Sequence, residues 1–248
     1  MKRLAVTCIL LVLLFFGLSA PVNASLTVQA VINQGIDVLL DFRNINSSIW
    51  EKIQNNSYLF NYTTFPKIIV DNLKQRYGLN ATFSLPDNPI SPLDNSTRSI
   101  RARFHLSGSD IISLTFNKKT MAKTYRVRTE WRNFYANFTS AQGVHILSLN
   151  FTEYFGNPVS QWEKINYTLS DGVHPTYFYN HTGSAAFDPL FYFVLPAGAI
   201  NVQAVEDTVT FEFPPSLGDV LLNSPFPIVG ALIVITIAIV LYRKVRRR

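Results

Sequence analysis

Between Pro225 and Tyr242 the chain carries no charge, and Arg243, Lys244, Arg246, Arg247 and Arg248 follow. A water-facing fold rarely holds so long an uncharged run closed by cations. As a helix the run would span roughly 27 Å at 1.5 Å per residue, close to the hydrocarbon thickness of a bilayer. Positive charge stays on the cytoplasmic side, and Tyr242 stands where an interfacial aromatic belongs. A glycolipid-anchor signal ends in an apolar tail, which these arginines are not. The spacing predicts one transmembrane helix over 225–242 and a basic cytoplasmic tail over 243–248.

The opposite end is apolar too. Met1-Lys2-Arg3 leads into an uncharged run from Leu4 to Leu18, and Val22-Asn23-Ala24 supplies small residues two apart. This order reads as a secretory signal peptide over 1–24, cut after Ala24. Its apolar core is short for a membrane span. The expected topology is type I at the cell membrane, with an extracellular domain over 25–213 and a stalk over 214–224. Pro225-Phe226-Pro227, the apolar run and the terminal cations resemble the tripartite sorting signals of archaeal surface proteins, without the glycine of their short motif. That resemblance implies processing of an archaeal-type tail, covers only the last two dozen residues and identifies no family.

Charge must be read after these ends are set aside. The 248 residues hold 22 Lys and Arg against 16 Asp and Glu, a formal net charge of +6. Taken whole, that balance invites a nucleic-acid reading. Seven of the 22 basic residues lie in the two ends, so 15 remain against all 16 acids. The exported part is near neutral, the basic balance reports topology, and no nucleic-acid partner is expected. The single cysteine, Cys8, leaves with the signal, so no disulfide is expected.

The exported part is rich in glycosylation acceptors. N-x-S/T occurs nine times, at Asn46, Asn55, Asn61, Asn80, Asn95, Asn137, Asn150, Asn166 and Asn180. Chance gives about three, since Ser and Thr fill about one position in six. Each used site must face solvent, so the acceptors mark the outside of the fold.

Thr27 to Ile32 and Ile36 to Phe42 read as a hairpin around Asn33-Gln34-Gly35. Ser48 and Glu51 match a capping box for a short helix. Thr63 or Thr64 opens a second helix with Pro66 in its first turn, Ile69, Leu73 and Tyr77 on one face, and Gly78 as its stop. From Ile100 the period becomes two. Ile100, Ala102, Phe104 and Leu106 alternate with Arg101, Arg103, His105 and Ser107, and similar runs follow at Ile112–Phe116, Tyr125–Trp131 and Leu147–Phe151. The fold expected is α+β: an antiparallel sheet with two N-terminal helices packed on one face. A β-sandwich with a helical insertion is the alternative.

No catalytic signature is present. The residues His174 and His181, with Asp171 and Asp188 nearby, match no zinc spacing and read as exposed loop histidines. No Gly-x-Ser-x-Gly elbow or phosphate-cradling loop occurs. Neither cofactor nor metal is expected. The stretch Tyr177-Phe178-Tyr179 and the run Phe187 to Phe193 read as sheet core.

Residues 98–132 carry a net +7 and residues 133–222 a net −7. The plainer reading is that the two halves face each other or share a solvated surface. Arg101 and Arg103 share one strand face, and Arg126 and Arg128 share another. If the intervening strands pair in order, these four form a basic binding face for an acidic glycan, anionic lipid or acidic partner. The expected function is a single-pass cell-surface glycoprotein with a non-catalytic binding or assembly domain, its partner a surface protein, glycan or lipid. A tethered lipid or small-ligand carrier and an extracellular hydrolase are the alternatives.

Overall fold

The computed structural model describes residues 24–86, 93–117, 121–180, 188–216, 218 and 226–246. The first strand, β1 (Ser25–Ile32), and the second, β2 (Ile36–Arg43), form the expected hairpin, with Ile32 opposite Ile36. Alternate residues Leu26, Val28, Ala30 and Ile32 point into the core because each alternate position is apolar. Gly35 is required in the turn: a Cβ there would lie 2.6 Å from the Leu106 carbonyl oxygen.

Two helices follow, α1 (Ser47–Asn55) and α2 (Thr64–Asn72). The cap of α1 lies earlier than the capping box predicts. Asn46 Oδ1 accepts from the Ser48 amide at 3.0 Å, and Glu51 is exposed. Asn outranks most residues as a cap, which moves the start by two positions. Asn61 Oδ1 likewise accepts from the Thr63 and Thr64 amides at the start of α2. Thr63 makes no side-chain cap bond. The last turn, Leu73–Tyr77, widens to π geometry, and Gly78 ends it at φ 63°. Trp50 and Ile53 of α1 and Ile69 and Val70 of α2 are buried; α1 touches the later strand β9, and α2 touches β3 and β5.

The remaining strands are β3 (Thr82–Ser84), β4 (Leu93–Asp94), β5 (Ser99–Ser107), β6 (Ile112–Phe116), β7 (Lys123–Arg128), β8 (Tyr135–Thr139), β9 (His145–Asn150), β10 (Glu163–Leu169), β11 (Gly172–Asn180), β12 (Asp188–Val194), β13 (Ile200–Val205) and β14 (Thr208–Phe213). They make three sheets where one was expected. The large sheet runs β10-β11-β12-β1-β2-β5-β3, with β4 also on β5. A small sheet runs β13-β14-β7-β6, and β8 with β9 forms a separate hairpin. Pairing is antiparallel except β1 with β12, which is parallel. The architecture is thus mostly antiparallel β-sheet with a few helices.

The sheets separate because the chain turns a corner after β5. Ile111 and Ile112 both donate to the Gly108 carbonyl, and Ile111 is buried. This tight turn redirects β6 onto β7 instead of back onto β5. β9 stops at Asn150, which caps the short helix α3 (Phe151–Phe155): its Oδ1 accepts from the Glu153 amide at 3.2 Å. Phe151, read from its spacing as a strand residue, therefore begins a helix. Residues from all three sheets and from the helices meet in one apolar cluster.

Residues Phe226–Arg246 form the 21-residue helix α4, over the segment expected to be helical. Among the described residues no helix is long and apolar enough to cross a membrane. Side chains of residues 226–228, 231, 238, 240, 241 and 243–245 lie outside that set. The signal peptide falls outside the described residues up to position 23, as does most of the stalk.

Candidate functional site

The four arginines do not form one face. Arg101 and Arg103 lie on β5 of the large sheet, and Arg126 and Arg128 on β7 of the small one. Arg101 Nε reaches Asp41 Oδ1 on β2 at 3.3 Å. Asp41 also accepts from Arg43 at 2.6 Å, and that bond raises the Arg43 pKa above its ordinary value. Arg128 pairs with Glu130 at 2.9 Å. The basic stretch also meets the acidic half directly, because β7 pairs with β14. Wholly buried Arg132 bonds Asp207 in the β13–β14 turn. This pairing of halves follows the charge distribution through Arg132 and Asp207, while it is the placing of β5 and β7 in separate sheets that divides the four arginines.

The outer face of the large sheet carries a smaller grouping of polar side chains around Arg103. Cross-strand register puts Tyr192 of β12, Gln29 of β1, Leu39 of β2 and Arg103 of β5 in one row. The next row holds Val31, Asp37 and His105. His105 Nδ1 lies 3.0 Å from Asp37 Oδ1. A shallow hollow of about 250 Å³ opens among Gln29, Val31, Asp37, Val38, Leu39 and Arg103. Arg103 is exposed and has no ionic or hydrogen-bond partner among the described residues. At the far end of the same row, three strands from Arg103 and outside the hollow, Tyr192 packs against Phe178 and Tyr167, with ring centroids 4.9 and 5.3 Å apart.

The aromatic runs read as core therefore split by strand alternation. Tyr177, Phe191 and Phe193 are buried, while Phe178 and Tyr192 point outward and are only half-buried. Gln29, Asp37 and Tyr192 were not picked out by sequence. The period-two pattern puts each on a polar face, but only the register brings them together.

His174 is not an exposed loop residue. It sits buried in β11, with Nδ1 2.7 Å from the Leu195 carbonyl and Nε2 2.9 Å from Asp171 Oδ1. Strand register buries it, and both ring nitrogens face acceptors. His181 lies outside the described residues. The His174 bond holds the Asp171 carboxyl below its ordinary pKa. A depressed carboxyl stabilises the fold above its unfolded pKa, and the contribution is lost as pH falls through the folded value. Asp171→Asn should therefore lower the melting temperature slightly at neutral pH. The difference should vanish in acid, in melts from pH 7 down to pH 2; an unchanged difference throughout would contradict it.

None of the nine acceptor asparagines is buried: Asn61 and Asn150 are half-buried and the other seven exposed. Asn46, Asn61 and Asn150 cap helices through Oδ1. A glycan replaces one hydrogen on Nδ2, so these caps are compatible with modification. Asn150 also donates from Nδ2 to Glu153 at 3.2 Å, so it is less free than the strand pattern predicts.

An apolar cavity lined by Phe42, Phe60, Phe65, Ile100 and Leu149 holds about 10 Å³, room for roughly one water and no acyl chain. Among the described residues no group of three or more His, Cys, Asp and Glu side chains converges to hold a metal. No protein-family model matches the chain, and neither a curated protein nor a solved structure matches it.

Proposed function

We propose that the chain is a single-pass cell-surface glycoprotein with a non-catalytic binding domain, and that the domain binds an acidic surface polysaccharide at the Arg103 hollow. The observation carrying this reading is the unpartnered, exposed Arg103 sharing a hollow with Gln29, in a row that ends three strands away at the Tyr192 ring cluster. A guanidinium takes a carboxylate or sulfate, an amide takes hydroxyls, and aromatic faces take sugar rings. The proposal includes α1 and α2 as a layer on the apolar face of the large sheet, supported by Trp50, Ile53 and Ile69 in the shared apolar cluster.

The anchored topology is supported by the uncharged run over 225–242 with its basic end, and by the start of β1 at Ser25, one residue after the expected cut. It puts residues 25–213 outside, the C-terminus in the cytoplasm, and α4 across the bilayer.

The test is binding of fluorescent alginate, a polyuronate, to cells displaying the full chain. Arg103→Ala should weaken binding by about tenfold, equivalent to one charge-assisted hydrogen bond. Arg126→Ala, on the other sheet, should leave it unchanged. Equal binding by the parent and Arg103→Ala chains would sink the polysaccharide reading.

A further inference from the structure

We infer that a second surface, the apolar side of the small sheet where β14 hands over to the stalk, rests on the surface of an anionic lipid bilayer. This inference depends on the anchored topology proposed above. The register stacks that side in rows. Val127 and Val209 share the first row and are wholly buried. Leu114, Tyr125 and Phe211 make the second, and Phe116, Lys123 and Phe213 the third. Phe211 is buried, but Leu114 is 53% exposed, and Tyr125, Phe116 and Phe213 are only half-buried. The apolar side therefore runs on past the edge of the core. Tyr125 holds the overhang together, stacked on Phe211 at 5.1 Å and edge-on to Phe213 at 5.6 Å.

The direction of the overhang identifies its occupant. It occurs at the end of the sheet where β14 finishes, and exposed Pro214, Pro215 and Ser216 follow. The 12 residues 214–225 separate Phe213 from α4. Fully extended they reach about 45 Å, so a membrane-anchored chain keeps this row within reach of the bilayer. Contact then becomes intramolecular, at an effective concentration in the millimolar range for a short tether, and even a weak apolar contact is populated. Aromatic rings, a leucine and a lysine are the composition of an interfacial lipid contact.

Glycan placement points the same way. Asn137, Asn150, Asn166 and Asn180 fall on β8, β9, β10 and β11, and none of the nine acceptors falls on β6, β7, β13 or β14. A bulky sugar would hold the small sheet off a membrane, and these four strands carry no acceptor for one.

The experiment uses the full chain with Cys8→Ala, labelled at Leu114→Cys with an environment-sensitive fluorophore and reconstituted into phosphatidylcholine vesicles containing phosphatidylglycerol. Val173→Cys, on the large sheet and 55% exposed in the parent, is the comparison. The label at 114 should emit to the blue of the label at 173. Headgroup-depth spin-labelled lipid should quench it several-fold more. Phosphatidylcholine alone should reduce the difference. If the chain floats with vesicles but the two labels are quenched alike, the bilayer contact is overturned while the anchor stands. If the chain does not float, the anchor itself is wrong and the contact falls with it.

Discussion

Asp207→Ala should cost about 3–5 kcal/mol of folding stability, the usual result of stranding a buried charge. The Arg132 guanidinium is wholly buried and Asp207 is its carboxylate partner. Burial lowers the Arg132 pKa, and the Asp207 charge opposes that shift. Asp207 holds more than the ion pair. Its carboxylate accepts from the Val159 amide at 3.3 Å and from Asn133 Nδ2 at 3.4 Å. Its carbonyl accepts from the Thr129 amide and hydroxyl, each at 2.9 Å. The guanidinium in turn lies 5.0 Å from the Trp162 ring centroid. One turn thus joins the small sheet to the segments leading into β8 and β10. Replacing both partners, Arg132→Met with Asp207→Ala, should recover part of the loss, because no charge is then left unpaired. Urea unfolding of the parent, the single and the double variants reads both effects. A single variant within about 1 kcal/mol of the parent would show that the pair contributes little beyond its desolvation cost.

That turn also marks how far the sequence could be read. Signals acting over a few residues were legible: the hairpin at Asn33-Gln34-Gly35, the helix ending at Gly78, the alternation of Ile100 to Ser107. Each rests on backbone preference or periodicity that neighbours alone determine. Sheet membership was not legible. β1 lies parallel to β12, and Val28 faces Phe191 from far along the chain. Nothing in either strand names its partner, since many Val- and Phe-rich strands fit equally well. The four-arginine face failed for this reason. It assumed that β5, β6 and β7 pair in order, whereas Ile111 buries itself in the corner after β5 and takes β6 to another sheet. The opposite charges of the two halves did bear on the outcome, through Arg132 and Asp207, but without saying which cation would be buried. The candidate site was half legible: Arg103 stands out on a strand face, while Gln29, Asp37 and Tyr192 join it only through register. The alternation over Ile112–Phe116 puts Leu114 on the apolar side, and the overhang of the small sheet leaves it exposed.

Phe151→Ala and Thr152→Ala should give opposite results although they are neighbours in one glycosylation acceptor. The Phe151 ring is wholly buried and meets Phe134 at 4.2 Å, Phe155 at 5.6 Å, Tyr154 at 6.1 Å, and both Phe42 and Phe65 at 6.4 Å. Removing it opens a cavity among rings drawn from β2, α2 and α3. The expected loss is about 3–5 kcal/mol, the usual cost of a large aromatic in a core. The acceptor at Asn150 is left intact, because its middle position tolerates any residue but proline. Thr152 reverses both terms. Its hydroxyl is buried without a hydrogen-bond partner, so Ala removes an unsatisfied group and should shift stability by less than about 1 kcal/mol. The same change destroys the acceptor. Denaturant unfolding together with glycopeptide mapping of membrane preparations separates the two. Phe151→Ala should be strongly destabilised with Asn150 still modified in the material that folds. Thr152→Ala should be near parental stability with Asn150 bare. If Asn150 is bare in the parent as well, the acceptor is unused, and outward position at the end of β9 was not enough to make it a substrate. If Thr152→Ala is as unstable as Phe151→Ala, the glycan itself holds α3 in place, acting beyond the Asn150 cap that α3 already has.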